Sequence, residues 1–182
     1  MLERLDKTVM HSYPGMVALV TVAVEEEHNI MACGWHTYIS YEPPMYGVSI
    51  GRERYSYQLL KKAGKFAINF LPFEKAEVIQ KAGVTSGADT DKLSTQSFIE
   101  GEATGAPILK EAYVVYECET VDVKTYGDHD FFVAELVGFY RDEALFLSNG
   151  LPNLKQLSIP LYLGRSRYVK LDDRVGYKDF LK

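Results

Sequence analysis

Met16 to Glu25 reads MVALVTVAVE, a run whose β-branched residues and length fit a buried strand. Glu26, Glu27 and His28 supply a polar turn behind it. A second strand then begins at Asn29 and runs to His36, continuing toward Tyr41. Glu42-Pro43-Pro44 must end that strand, because two prolines remove two ladder donors and push the preceding residue out of the helical region. Met45 to Gly51 (MYGVSIG) is the next strand. The period changes at Ser56: SYQLLKKAGK places Tyr57, Leu59 and Leu60 for a short helix, with Ser56 in N-cap and Gly64 in C-cap position.

Farther along, Lys65 to Pro72 (KFAINFLP) reads as a strand and Lys75 to Ala82 as a second short helix ending at Gly83. From Val84 to Gly105 the chain is polar, glycine-containing and poorly periodic. That predicts a long excursion, of the kind that serves a function or becomes ordered against a partner. Val114–Lys124 and Phe131–Tyr140 (FFVAELVGFY) form a hairpin across Tyr126-Gly127-Asp128. Arg141-Asp142 turns into Ala144-Leu145-Phe146, and a final strand is expected over Leu161 to Leu171, before a charged tail. Short strands with two small helices and no βαβ rhythm specify a mainly β barrel or sandwich, not a Rossmann sheet. No internal repeat or linker divides the chain, so residues 1–182 are expected to be one domain.

Composition narrows the function. At 47% hydrophobic and 25% charged, the 182 residues have the balance of a soluble globular protein. A net charge of -5 argues against nucleic acid or an anionic membrane as the main partner. No apolar tract of spanning length and no Lys-led apolar leader appears, so neither a membrane span nor a secretory signal is expected, and the two cysteines, Cys33 and Cys118, lack CxxC or metal-ligand spacing. A reduced, cytoplasmic setting is therefore expected. Thirteen tyrosines and nine phenylalanines suit a β-rich core and also a site for a flat ligand. No GxGxxG, Walker loop, GxSxG elbow or HExxH occurs, and His11, His28, His36 and His129 are scattered, which leaves zinc or Ser/His/Asp hydrolysis without support.

Three clusters remain. In Asn29-Ile30-Met31-Ala32-Cys33-Gly34-Trp35-His36, small residues leave the backbone open to a flat ring with Trp35 as a wall; the same residues also suit a tight strand crossing with a core Trp. Gly51-Arg52-Glu53-Arg54-Tyr55-Ser56 ends a strand and opens a helix. That is an anion site if its N–H groups and arginines are free, and an ordinary cap if Ser56 caps and the arginines pair with Glu53. In Tyr126-Gly127-Asp128-His129-Asp130-Phe131, a histidine between carboxylates either meets a ligand or is solvated.

Together and in this order, the clusters resemble the flavin reductase-like family of FMN-binding split barrels. Asn29-Ile30-Met31 is similar to the family's N-x-M-T-x-S-W segment, and Glu42-Pro43-Pro44 with Val48-Ser49-Ile50 to its S-x-x-P-P and strand. Lys65-Phe66-Ala67-Ile68-Asn69 corresponds to F-x-V-N, and Gly127-Asp128-His129 to G-D-H. The resemblance spans about Tyr13 to Tyr168, and Ser86-Gly87 with Asp91-Lys92 echoes the S-G-x-x-x-D-K segment of flavoredoxins. It implies a Greek-key split barrel that binds FMN as a homodimer. FMN contacts are implied from Asn29, Trp35, Ser56, Lys92, His129 and Tyr162, with backbone at Met31, Ala32, Cys33, Gly34 and near Ile50 lining the ring and ribityl chain. Ser56 would meet the phosphate, and Lys92 would bring positive charge to the reduced ring. Two departures stand out: Ala32-Cys33 replaces a Thr-led pair, and Tyr162 a commoner Phe. Cys33 is expected to be a buried small residue and not a redox thiol. The implied activity is an NAD(P)H-dependent flavin oxidoreductase, the flavin carrying the chemistry with no catalytic side chain. The alternatives are an FMN electron carrier fed by a redox partner protein, and a ligand-binding barrel without flavin.

Overall fold

The MVALVTVAVE run forms β1 (Ala18–Val24), next to one edge of a seven-stranded antiparallel sheet. This computed structural model describes residues 1–7, 13–176 and 178–180; His11 lies outside them. In chain order the sheet comprises β1, β2 (Glu27–Cys33), β3 (His36–Tyr41), β4 (Pro44–Gly51), β5 (Lys65–Phe70), β8 (Val114–Tyr126) and β9 (His129–Arg141), arranged β2-β1-β5-β8-β9-β4-β3. Short pairs stand outside it: β6 (Phe98–Glu100) with β7 (Pro107–Leu109), and β10 (Ile159–Gly164) with β11 (Arg167–Leu171). The helices are α1 (Tyr55–Ala63) and α2 (Ala76–Val84).

β1 is apolar at consecutive positions because both of its faces are covered. Ala18, Val20 and Val22 join Val48, Ile50, Phe66, Ile68 and Phe132 in the main core, where α1 inserts Leu59 and Leu60. Leu19 faces the other way, beneath α2 with Ile30, Ile79 and Ala82. Full burial of a ring such as Phe132 contributes on the order of 1.5–3 kcal/mol. On the outer face of β4 the backbone is covered tightly: a Cβ at Gly47 would lie 2.2 Å from Phe131 and 2.8 Å from Ile39.

The two edges of the sheet, β2 and β3, are consecutive in sequence. Gly34 and Trp35 carry the chain from one edge to the other, so the sheet curls until its edges meet there without joining into a continuous ladder. Across this joint the Ser49 N–H donates to the Trp35 carbonyl at 2.9 Å. The expected split β-barrel is what forms, with its split at Gly34. Among the described residues, no helix is long and apolar enough to cross a membrane.

Four local expectations need correction. The single strand from Asn29 toward Tyr41 is broken at Gly34-Trp35 into β2 and β3. The single strand over Leu161 to Leu171 is two strands, turned by Gly164, Arg165 and Ser166, all at positive φ. Ser56 is not an N-cap: Arg54 occupies that position with no side-chain cap bond, and Ser56 lies inside α1. Gly64 does close α1, at φ 65 with its N–H on the Leu60 carbonyl. The second helix runs on through Gly83 to Val84.

The excursion from Val84 to Gly105 orders against this chain's own barrel. Asp91 accepts from the Leu93 and Ser94 N–H groups, Leu93 enters the core beneath α2, and β6 pairs with β7. Its far end is held by Glu117 of β8, a side chain only 1% exposed. Glu117 accepts from the N–H groups of Ala103 (3.1 Å) and Thr104 (2.8 Å), the Thr104 hydroxyl (2.7 Å) and the Tyr140 hydroxyl (2.8 Å). Burial alone would raise this carboxyl's pKa; the four donors outweigh it and hold the group below the usual carboxylate range. Gly101 is required beside it, since a Cβ there would stand 2.1 Å from the carboxylate.

Candidate functional site

Where the sheet edges meet, a cleft of about 820 Å³ opens, within the range of roughly 300–1,000 Å³ typical of small-molecule and cofactor sites. Its floor is the end of β2 and the joint: Met31, Ala32, Cys33, Gly34 and Trp35. Small side chains make this floor flat, and a Cβ at Gly34 would meet nothing within 4 Å. One wall is the start of α1, with Arg54, Tyr55 and Ser56. A second wall, which meets the first at Asn29 and Gly87, is the end of α2 and the chain after it, through Thr85, Ser86 and Gly87, backed by Lys92. His129 stands at the start of β9, and Tyr162 and Tyr168 of the β10–β11 hairpin complete the rim together with Tyr13. That hairpin is tied to the N-terminal segment by two backbone bonds between Gly15 and Tyr162.

Polar groups converge on the α1 wall. The buried Asn29 side chain donates from Nδ2 to Ser56 Oγ at 2.7 Å. Because Ser56 accepts this bond, its own hydroxyl hydrogen is left to donate elsewhere. The adjoining helix start has no capping side chain and no acidic residue in its first turn. An uncapped α1 N-terminus beside a free hydroxyl hydrogen is suited to an anion. Asn29 is fixed from behind by Gly87, where a Cβ would lie 2.2 Å from Oδ1.

Lys92 reaches the second wall from within the fold. It is 9% exposed, and Nζ donates to the Ala82 and Thr85 carbonyls at 3.3 Å each. Burial pushes its pKa below the ordinary lysine value, and no carboxylate pairs with it among the described residues. At the rim, His129 packs its ring on Trp35 with centroids 4.7 Å apart, and Nδ1 meets Asp128 at 2.8 Å. The hydrogen bond from His129 holds the Asp128 carboxyl below its usual range.

Cys33 is 3% exposed, with Sγ 3.4 Å from the Trp35 carbonyl and 3.8 Å from that of Ser49. Burial pushes its thiol up to about 11, so it is a neutral thiol that packs the joint. His36, next along β3, places Nδ1 2.7 Å from the Tyr46 hydroxyl and Nε2 3.1 Å from the Met16 carbonyl. Burial lowers the pKa of His36.

Of the residues singled out in the sequence, Met31 to Trp35, Ser56, Lys92, His129 and Tyr162 line this one cleft. Asn29 stands behind it and acts through Ser56. The Ile50 side chain is fully buried in the main core, and its neighbours Ser49 and Gly51 line the cleft. Arg52 turns away to donate to the Gly127 carbonyl at 2.8 Å, and Arg54 pairs with Glu53. Sequence reasoning missed Tyr13, Tyr168 and the Thr85–Gly87 wall as site residues; Ser86-Gly87 was the one local signal for that wall.

Comparison with known proteins places these features. A Thermus thermophilus FMN-binding protein, solved with 1-cyclohex-2-enone bound, superposes with a TM-score of 0.88 at 34% identity, covering 98% of this chain and all of that one. A flavoredoxin from Methanosarcina acetivorans gives 0.86 at 28% identity over 97% of this chain and 95% of its own. An NADH:riboflavin 5'-phosphate oxidoreductase from Streptomyces pristinaespiralis is 32% identical over 69% of each chain. The model of the flavin reductase-like domain matches residues 10–172, and the chain belongs to that family.

Proposed function

We propose that the cleft holds FMN and that the protein is an NAD(P)H-dependent flavin oxidoreductase. The observation that carries this reading is the α1 wall: a hydroxyl whose oxygen is already occupied by Asn29, at an uncapped helix start, is set to donate to a phosphate. The rest of the cleft fits the same group. Met31 to Gly34 offer a flat floor for the isoalloxazine, with Trp35 and His129 at its edge, and the buried ammonium of Lys92 faces an anionic ligand. Similarity to an FMN-binding protein and to an NADH:riboflavin 5'-phosphate oxidoreductase supports it.

FMN, when bound, supplies reversible two-electron acceptance from a nicotinamide. The chain's own residues bind and orient. Ser56 and the α1 N–H groups would anchor the phosphate, the floor would set the ring plane, and Trp35 with His129 would shield one side of the ring from water. No side chain is assigned an acid or base role.

The likeness to a flavoredoxin and the lack of a nucleotide-binding fingerprint favour a second reading, an FMN electron carrier served by a redox partner protein. We also propose a homodimer. Tyr38 and Phe139, packed against Tyr46 and Tyr116 at the end of the main core, are 58% and 61% exposed, an apolar patch that a second copy would cover. Two buried free thiols suit a reducing cytoplasm.

The experiment is anaerobic mixing of FMN-loaded protein with NADH or NADPH while flavin absorbance is followed. Bleaching within seconds is the expected result. Full flavin occupancy with no bleaching by either nucleotide would assign the carrier role instead, and failure to retain FMN would sink both readings.

A further inference from the structure

Beyond the α1 wall the protein changes sign. The pair Asn29–Gly87 separates the cleft from a second hollow, and the two are in such close contact that Gly87 has no room for a Cβ. This second hollow is lined by Glu26, Glu27, Asp89 and Asp91, with no lysine or arginine among its lining residues. On the cleft side, Tyr55 donates its hydroxyl to Glu27, a bar between the start of α1 and β2. Asp91 is fixed by the N–H groups of Leu93 and Ser94, which keeps its carboxylate at the hollow. The first phosphate of a flavin would therefore meet donors, and anything covalently continuing from it would meet a wall with carboxylates behind.

We infer that the cleft selects a flavin ending in a single phosphate and that the carboxylates behind Asn29–Gly87 reject its adenylated dinucleotide. This rests on reading the cleft as an FMN site. The added adenylate brings a second phosphate charge beside four exposed carboxylates, and like charges repel at short range while salt screens them.

The test is calorimetric titration of the flavin-free full chain with riboflavin, FMN and FAD, alongside a variant carrying E26Q, E27Q, D89N and D91N. The amides keep the acceptors used by Tyr55, Leu93 and Ser94. For the native chain, FMN is expected to bind about tenfold or more tighter than FAD, and raising the salt to about 0.5 M narrows that ratio. In the variant the ratio should shrink by about threefold or more, through a gain in FAD affinity. FAD binding the native chain as tightly as FMN overturns the inference and leaves the FMN site standing. An unchanged ratio in the variant overturns the role of the carboxylates. Loss of all flavin binding by the native chain instead overturns the reading of the cleft itself.

Discussion

Two buried charges, Glu117 and Lys92, sit in opposite circumstances. Glu117 receives four hydrogen bonds, three of them from the loop it anchors, and its neighbours Gly101 and Gly138 are stripped to the backbone to make room. Lys92 has two long bonds to carbonyls, no paired carboxylate among the described residues, and a place on the cleft wall. A buried charge whose valences are filled holds structure together, because removing it orphans its partners. One left partly unfilled beside a cavity has capacity for a ligand. Burial therefore does not separate structural from functional charges; the count of satisfied valences does.

The sharpest way to break the comparison is Glu117→Ala. It leaves the Thr104 and Tyr140 donors unmet and is expected to lower unfolding free energy by roughly 3–5 kcal/mol in urea titrations, with FMN affinity of the folded fraction unchanged. Lys92→Met should do the reverse. Stability is expected to stay within about 1 kcal/mol, because a poorly paired buried ammonium gives way to a chain of similar shape, while FMN affinity falls about tenfold or more. Equal stability losses in the two variants would erase the distinction. Ser56→Ala tests the α1 wall and should weaken FMN by about fivefold, as one hydrogen bond is lost and Asn29 Nδ2 is orphaned. Riboflavin, which has no phosphate, should be affected less.

The smallest effect is a pH dependence. His36 has a folded-state pKa below its unfolded value, so the unfolded chain binds the proton more readily. Its contribution to stability is complete above the unfolded value near 6.5 and declines as pH falls from there toward the folded value. His36→Gln should flatten that part of a stability-against-pH profile measured by thermal melts.

Much of the barrel was legible because it follows local rules. An unbroken apolar run marked the strand covered on both faces, Gly127-Asp128 marked the β8–β9 hairpin, and Pro43-Pro44 set the end of β3. The break at Gly34 was not legible, since Ala-Cys-Gly-Trp reads as continuing strand until the sheet curls and gives its halves different neighbours. Arg165 and Ser166 carry no turn signature of their own, and only Gly164 hinted at the hairpin. Ser56 looked like a cap because it precedes an apolar period. The helix instead begins at Tyr55, and the Ser56 oxygen is taken by Asn29, far away in sequence. The floor of the cleft was readable as a run of small residues. Tyr13 and Tyr168 of its rim were not, because they come to the cleft only through the curl of the sheet and the docking of the β10–β11 hairpin.

The joint at Gly34 and Trp35 has a mechanical consequence. Parting β2 from β3 would peel the sheet open at the same place that forms the floor of the cleft. A ligand lying on that floor would act as a clasp across the seam. Backbone amides near the seam, Ser49 above all, should then exchange with deuterated solvent at a rate that tracks cofactor occupancy, while amides of the β8–β9 hairpin remain indifferent to it.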